Sequence, residues 1–185
     1  MDNIQTPRTF LRRVFCVVLA AGSLAGASPV LAQTCAAGVR ASNPSSAYIV
    51  TPSMGTVVDT RTGLMWDRCV WLQNGVNCTS DAGTAGLTWL DALGAPITAN
   101  AIHHNSYSDW RLPNVKELRS LVEECRISPS INEWAFPNTP ATYYWTNSPS
   151  AKDATAAWEV SFGGGFSAID VRTATYRVRL VRGGY

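Results

Sequence analysis

The stretch DWRLPNVKELRSLV, residues 109–122, carries the clearest structural signal in the sequence. Asn114 occupies the position of a helix N-cap, and Glu117 follows three residues later, which is the spacing of a capping box. Apolar residues then recur at the spacing that places them on one helical face; these are Val115, Leu118, Leu121 and Val122. The sequence therefore predicts a helix that begins after Asn114 and buries one side.

A second helix is predicted upstream, where Thr88 and Asp91 repeat the spacing of a capping box. Gly94 and Pro96 follow within two turns and disfavour a continuous helix, because proline lacks the N–H that the helix requires. We therefore expect either a short helix or one that restarts after Pro96.

Strand patterns lie on both sides of these helices. A polar turn at 59–63 separates two apolar runs and predicts a β-hairpin. Apolar and polar residues alternate over 158–162, as in a half-buried strand, and Gly163–Gly165 turns that strand back. The expected strands occupy residues 57–58, 64–66, 143–146, 158–162, 166–171 and 176–181. Two helices combined with antiparallel strands predict an α+β fold of one domain.

Residues 1–32 have the organisation of a secretory signal peptide. Three arginines precede an apolar run at 14–27, and Ala32 ends a segment suited to signal peptidase. We therefore expect cleavage after Ala32, an extended N-terminal lead-in at 33–55 and a domain at 56–185. The alternative, a membrane anchor, is disfavoured because the run is shorter than the roughly 20 residues that a bilayer requires.

The charge balance changes when this leader is removed. The whole chain carries 15 Lys and Arg against 13 Asp and Glu, a net charge of +2. Three of the basic and one of the acidic groups lie in the first 32 residues, so residues 33–185 carry 12 of each. Nucleic-acid and anionic-membrane binding depend on many uncompensated Lys and Arg. We therefore expect no nucleic acid as partner. Each apolar run after Gln33 is interrupted within about ten residues by a charge, Pro or Gly, so we also expect no membrane span after cleavage.

Four cysteines remain after the leader and are expected to pair in an oxidising compartment. A turn signal, Asn-Gly, lies between Cys69 and Cys78 and favours a short disulfide loop. This pairing leaves Cys35 to bond with Cys125. The alternative, a four-cysteine zinc site, is disfavoured because the sequence has no C-x-x-C pair.

Residue types that commonly carry catalysis show no recognisable arrangement. His103 and His104 are adjacent, and neighbouring side chains of an extended loop point apart, so we expect exposed loop histidines rather than a metal site. Asp67 and Glu123-Glu124 are available for glycoside hydrolysis, but their plain interpretation is a structural ion pair and a helix surface. We expect no catalytic residue, no metal and no cofactor.

Seven tryptophans are many for a chain of this size. Five lie in or beside predicted elements and are expected to be mainly buried; they are Trp66, Trp89, Trp110, Trp145 and Trp158. Trp71, in the disulfide loop, and Trp134, in a proline-rich loop, are expected nearer to solvent. Exposed indole rings also stack on sugars, so these two are candidate binding residues.

Arginines crowd the C-terminal end at Arg172, Arg177, Arg179 and Arg182, and no acidic residue follows Asp170. Arg177 and Arg179 are expected to share a strand face. Guanidinium groups bind sulfate and carboxylate groups through paired hydrogen bonds, which makes the cluster a candidate site for an acidic glycan. The alternative is that these arginines pair with Asp and Glu on neighbouring strands.

Three motifs together resemble the Lcl C-terminal domain family: VDTRTGLMW at 58–66, DWRLPNVKEL at 109–118 and RLVR at 179–182. This family occurs in bacterial secreted proteins and is named for the end domain of a collagen-like adhesin. Trp-Arg-Leu-Pro before a capped helix also resembles the C-type lectin-like fold of the formylglycine-generating enzymes, the sulfatase-modifying factors. The resemblance implies a compact single α+β domain of that type.

The adhesin binds sulfated glycosaminoglycans and is trimeric through its stalk. The resemblance therefore implies a secreted or periplasmic, non-enzymatic binding module for an acidic or sulfated glycan or an envelope protein. This chain lacks a Gly-X-Y repeat, so trimerisation does not carry over and the oligomeric state stays open. Its last cysteine is Cys125, whereas the generating enzymes use two cysteines near the C-terminal end. An enzyme on that fold and a structural envelope protein remain the alternatives.

Overall fold

The computed structural model of the protein describes residues 35, 37–81 and 86–183. The expected signal peptide and its cleavage site at Ala32 lie outside these residues. The two helices are α1 (Trp89–Ala101) and α2 (Val115–Arg119). The strands are β1 (Tyr48–Thr51), β2 (Thr56–Asp59), β3 (Leu64–Asp67), β4 (Gln73–Asn74), β5 (Ser80–Asp81), β6 (Tyr143–Pro149), β7 (Ala156–Ser161), β8 (Phe166–Val171) and β9 (Val181–Gly183).

Every strand in the described part of the chain pairs antiparallel with its neighbours. The strands form three sheets with the orders β1-β2-β3-β9, β4-β5 and β6-β7-β8. The predicted α+β class, with two helices and antiparallel strands in one domain, is confirmed.

The start of α2 was predicted correctly. The Asn114 side chain accepts a hydrogen bond from the Glu117 N–H at 2.9 Å, and the Glu117 carboxylate accepts one from the Asn114 N–H at 2.8 Å. Arg111 donates two hydrogen bonds of 2.7 Å to the same carboxylate. The helix ends at Arg119, so Leu121 and Val122 lie beyond it and the predicted helical face is shorter than expected. Leu118, Leu121 and Val122 are nevertheless buried, and the half-buried Val115 packs against the same cluster.

Helix α1 begins where the sequence indicates, because the Thr88 hydroxyl accepts a hydrogen bond from the Asp91 N–H at 3.3 Å. The expected interruption at Pro96 is wrong, since the helix continues through it to Ala101. Pro96 is itself buried on the side of the helix that also buries three alanines, Ala92, Ala95 and Ala99. Close packing of these small side chains offsets the hydrogen bond that proline removes.

The predicted hairpin is β2 and β3, in which Val57 pairs with Trp66. Its outer neighbours were not predicted: β1 lies inside the expected lead-in at 33–55, and β9 pairs with β3. The strand expected at 176–181 is displaced toward the end of the chain. Tyr176 and Arg177 form only isolated bridges, and the regular strand begins at Val181.

Strand β7 was expected to be half-buried, and this expectation is wrong. Glu159 and Ser161 are buried as fully as Val160, because β7 is the central strand of its sheet and both of its faces are covered. One face belongs to a core cluster that includes Leu118 of α2, and the other to a cluster that includes alanines of α1.

The predicted disulfides, Cys35–Cys125 and Cys69–Cys78, are both present. They fit an extracytoplasmic protein, because thiols stay reduced in most cytosols. Within the described ranges, no helix has the length and apolar character that a membrane crossing requires. The tryptophans expected in the core are buried at Trp66, Trp110 and Trp145 and half-buried at Trp89 and Trp158.

Candidate functional site

Arg179 must be removed from the candidate binding residues. Its side chain has no solvent exposure, because its guanidinium group bonds to the backbone carbonyls of Asp67 at 2.9 Å and Arg68 at 2.7 Å. It also donates to the Thr139 hydroxyl and lies 4.8 Å from the centre of the Phe136 ring. Arg179 therefore stabilises the core and offers no surface for a ligand.

Arg182 and Arg172 lie in different surroundings, and Arg177 lines the cavities described below. Arg182 forms an ion pair with Asp109 at 2.5 Å, which agrees with the alternative that these arginines pair with acidic residues. Its guanidinium carbon also lies 3.9 Å from the centre of the Tyr107 ring. Arg172 lies 4.2 Å above the Trp89 ring and donates to the backbone carbonyl of Ala156. The structure thus does not bring the four arginines together into one site.

The two loop tryptophans also separate. Trp134 is 56% exposed, as expected, and it does not line either of the two cavities, described next, that Arg177 lines. Trp71 is half-buried, with its backbone N–H donating to the carbonyl of Val178 at 2.8 Å. This contact brings the disulfide loop next to the C-terminal segment.

Trp71 and Arg177 line the same cavity, of about 110 Å³, together with Tyr176 and the backbone near Gly86. A second cavity of about 330 Å³ shares Gly86, Tyr176 and Arg177 and adds hydroxyl groups; these belong to Thr142 and Thr175. We call these two cavities the Trp71–Arg177 groove. The smaller cavity is mainly apolar, and the larger one is the more polar of the two.

Tyr176 joins the groove to the interior. Its ring packs on Trp145, with centroids 4.7 Å apart, and on Tyr143 at 5.1 Å. Its hydroxyl donates to the Asp170 carboxylate, and burial together with this hydrogen bond raises the pKa of the phenol. The ring is therefore held by contacts on several sides.

Glu159 lies buried on the same face of the sheet as Asp170, with 2% of its surface exposed. Its Oε2 has no hydrogen-bond partner among the described residues. Burial, reinforced by the negative charge of Asp170, raises the pKa of Glu159 to about 7. Glu159 was not singled out from the sequence.

His104 is not the exposed loop histidine that the sequence predicted. Its Nε2 lies 2.7 Å from Oδ2 of Asp67, a carboxylate that also accepts hydrogen bonds from the Cys69 N–H and from Asn105. The imidazole packs between two indole rings, with its centroid 5.4 Å from that of Trp71 and 6.0 Å from that of Trp110. Asp67 and His104 line a cavity of about 210 Å³ next to the disulfide loop.

The expectation that Glu123 lies on a helix surface is wrong, because this residue is fully buried. Its carboxylate accepts hydrogen bonds from the backbone N–H groups of Ser42 at 2.8 Å and Asn43 at 2.9 Å. The two adjacent glutamates therefore have different environments. Glu123 bonds the N-terminal segment to the domain, and Glu124 is exposed.

These features define a small α+β domain with two disulfides and a groove on its surface. The chain belongs to the Lcl C-terminal domain family, whose model matches residues 55–182. The family indicates a secreted domain of unknown function. No curated protein matches the chain.

Proposed function

We propose that this protein is an extracytoplasmic, non-enzymatic binding module that recognises an acidic glycan in the Trp71–Arg177 groove. The observation that carries the proposal is the meeting of Trp71, Tyr176 and Arg177 around one cavity. Indole and phenol rings offer apolar faces for a sugar ring, while a guanidinium group binds carboxylate or sulfate with two parallel hydrogen bonds. Both residues were candidates from the sequence on separate grounds, and both line this cavity.

The second cavity supports a polar ligand in particular. Thr142 and Thr175 supply hydroxyl groups that both donate and accept hydrogen bonds, as sugar hydroxyls require. An envelope protein that presents a carboxylate is the other candidate partner, and an array that contains proteins as well as glycans separates the two.

The test is binding of the mature, oxidised protein to immobilised heparin and polygalacturonate at low and high salt. We expect salt-sensitive binding, because exposed charge contacts weaken under screening. Arg177→Gln should weaken it about tenfold, because the neutral amide cannot replace the charge-assisted hydrogen bonds of the guanidinium group.

Arg119→Gln is the matched control, because Arg119 pairs with Glu124 on the surface of α2, on the other side of the β6-β7-β8 sheet from Tyr176. It should bind as the wild type does. Equal binding by both variants, or no binding to either polymer, would contradict the proposal.

Export is part of this proposal. A leader at 1–32 that is cleaved after Ala32 would deliver the chain to the compartment where its two disulfides form. Mass spectrometry of the protein recovered from the periplasm or the medium should then give Gln33 as the first residue. Recovery of the uncleaved chain from the membrane fraction would support the anchor alternative instead.

A further inference from the structure

We infer that His104 is a positioning residue for the Trp71–Arg177 groove: anchored by Asp67, its ring supports the indole of Trp71 in place for the ligand. This inference rests on the proposed function of the groove and assigns it a residue outside both of its cavities. The contact that carries it is the edge-to-face packing of the Trp71 and His104 rings, with centroids 5.4 Å apart and planes at 79°.

The contact matters because Trp71 lies on a loop with little regular secondary structure. The loop is closed by the Cys69–Cys78 disulfide and contains only the two-residue strand β4. Its neighbour Leu72 has a left-handed backbone with φ of 76°, and both Leu72 and Asn74 are exposed. The backbone bond from Trp71 to Val178 positions the start of the side chain, and the side chain packs against the core cluster that contains Val178. The His104 ring adds a contact to the indole from a separate loop.

His104, in contrast, is fixed by several contacts. A carboxylate can only accept hydrogen bonds, so the 2.7 Å contact requires Nε2–H of His104 to donate to Asp67. The backbone carbonyl of His104 accepts a bond from the Trp110 indole at 2.8 Å. Asp67 is 2% exposed and lies at the end of β3, so the imidazole is tied to the sheet.

The loop that carries His104 has an unusual backbone. His103, Asn105 and Ser106 all have positive φ, at 51°, 51° and 68°. Non-glycine residues adopt this conformation at a cost and keep it only where surrounding contacts enforce it. Here the enforced outcome is the position of the His104 ring between two indoles, one of which lines the groove.

A double-mutant cycle on heparin affinity tests the inference. His104→Asn keeps a donor for Asp67 but removes the ring, and should weaken binding about fivefold because the freed indole must then be ordered by the ligand. Trp71→Ala should weaken binding about tenfold. The double variant should bind no more than twofold worse than Trp71→Ala, since His104 acts through Trp71. Independent losses that multiply would overturn the inference.

His103→Asn is the matched control, because it makes the same change at the exposed neighbour in the same loop and should leave affinity unchanged. A readout without ligand follows the indole N–H resonance of Trp71, assigned by its loss in Trp71→Phe. The resonance should be single in the wild type and in His103→Asn, and broadened or split in His104→Asn. An unchanged resonance in His104→Asn would overturn the inference whatever the glycan data show.

The two proposals fail in different ways. If Arg177→Gln and Trp71→Ala leave heparin binding unchanged, the groove is not the ligand site and the proposed function fails. If these variants weaken binding while His104→Asn matches the wild type, only the positioning role of His104 is wrong.

Discussion

Glu159 is a carboxyl group held on the central strand of a three-stranded sheet with one oxygen unpaired among the described residues. Because burial raises its pKa to about 7, the folded protein keeps a proton that the unfolded chain, with an ordinary carboxyl, releases at much lower pH. The free energy of unfolding therefore falls as pH rises between about 4.5 and 7, and the loss is complete above that window.

We expect the free energy of unfolding to be about 2 kcal/mol lower at pH 8.5 than at pH 5, measured by urea denaturation. Glu159→Gln removes the charge without changing the shape, so its stability should be nearly flat across this range and should exceed that of the wild type at pH 8.5. An equal slope in both proteins would contradict this assignment. Carboxyls whose pKa is lowered, such as Asp109 and Glu117, lose their contribution only at lower pH.

Glu123 shows the opposite behaviour at an equally buried position. Burial by itself raises the pKa of this carboxyl, but the N–H donors of Asn43 and Ser42 lower it, so Glu123 remains charged. Glu123→Ala leaves these donors unpaired and should lower the free energy of unfolding by about 3 kcal/mol. Glu124→Ala, at the exposed neighbour, should change it by less than about 0.5 kcal/mol. Thermal or urea unfolding of both variants measures the difference, and similar effects would be inconsistent with it.

At the scale of elements, the capping box of α2 sets where the chain turns from the WRLP segment into the helix. Asn114→Ala removes the acceptor for the Glu117 N–H and should destabilise the domain by about 1 kcal/mol. Asn114→Asp keeps the acceptor and should match the wild type within a few tenths of a kcal/mol. Urea denaturation at pH 7 compares the three proteins, and an Asp variant as unstable as the Ala variant would argue against the cap.

Elements specified by neighbouring residues were predictable from the sequence, and those specified by distant residues were not. The helix starts at Thr88 and Asn114 depend on contacts within three residues. Strand β9 pairs Arg182 with Met65, which lies 117 residues earlier, and no local pattern reports that partner. The continuation of α1 through Pro96 likewise depends on tertiary packing.

The residues of the candidate site likewise differ in whether the sequence alone could identify them. Trp71 and Arg177 were identified because their residue types suit sugar and anion binding, but His104 acquires its role from Asp67, 37 residues away. The burial of Arg179 had a local signal, since Val178, Leu180 and Val181 surround it with apolar residues. Such flanking predicts that the backbone enters the core, where arginine bonds to carbonyl groups.

At the scale of the whole molecule, the two disulfides constrain very different lengths of chain. Cys35 and Cys125 are 90 residues apart, whereas Cys69 and Cys78 are nine apart. In the chain-entropy description, the longer loop removes more freedom from the unfolded state, with stabilisation of about 4.5 kcal/mol against about 2.5 kcal/mol. Replacing Cys35 and Cys125 by serine should therefore destabilise the domain more than replacing Cys69 and Cys78.

For ligand binding in the proposed groove, we expect the Cys69–Cys78 disulfide to matter more than the Cys35–Cys125 disulfide, which is the reverse of the order for stability. The short disulfide closes the loop that carries Trp71, whereas Cys125 follows Glu123 next to the N-terminal segment, outside the groove. At a temperature where both double-serine variants are folded, the Cys69/Cys78 variant should bind heparin several-fold more weakly, and the Cys35/Cys125 variant should bind as the wild type does. Because each variant is the control for the other, binding losses that simply follow the stability losses would show that the short disulfide has no separate role in holding the groove.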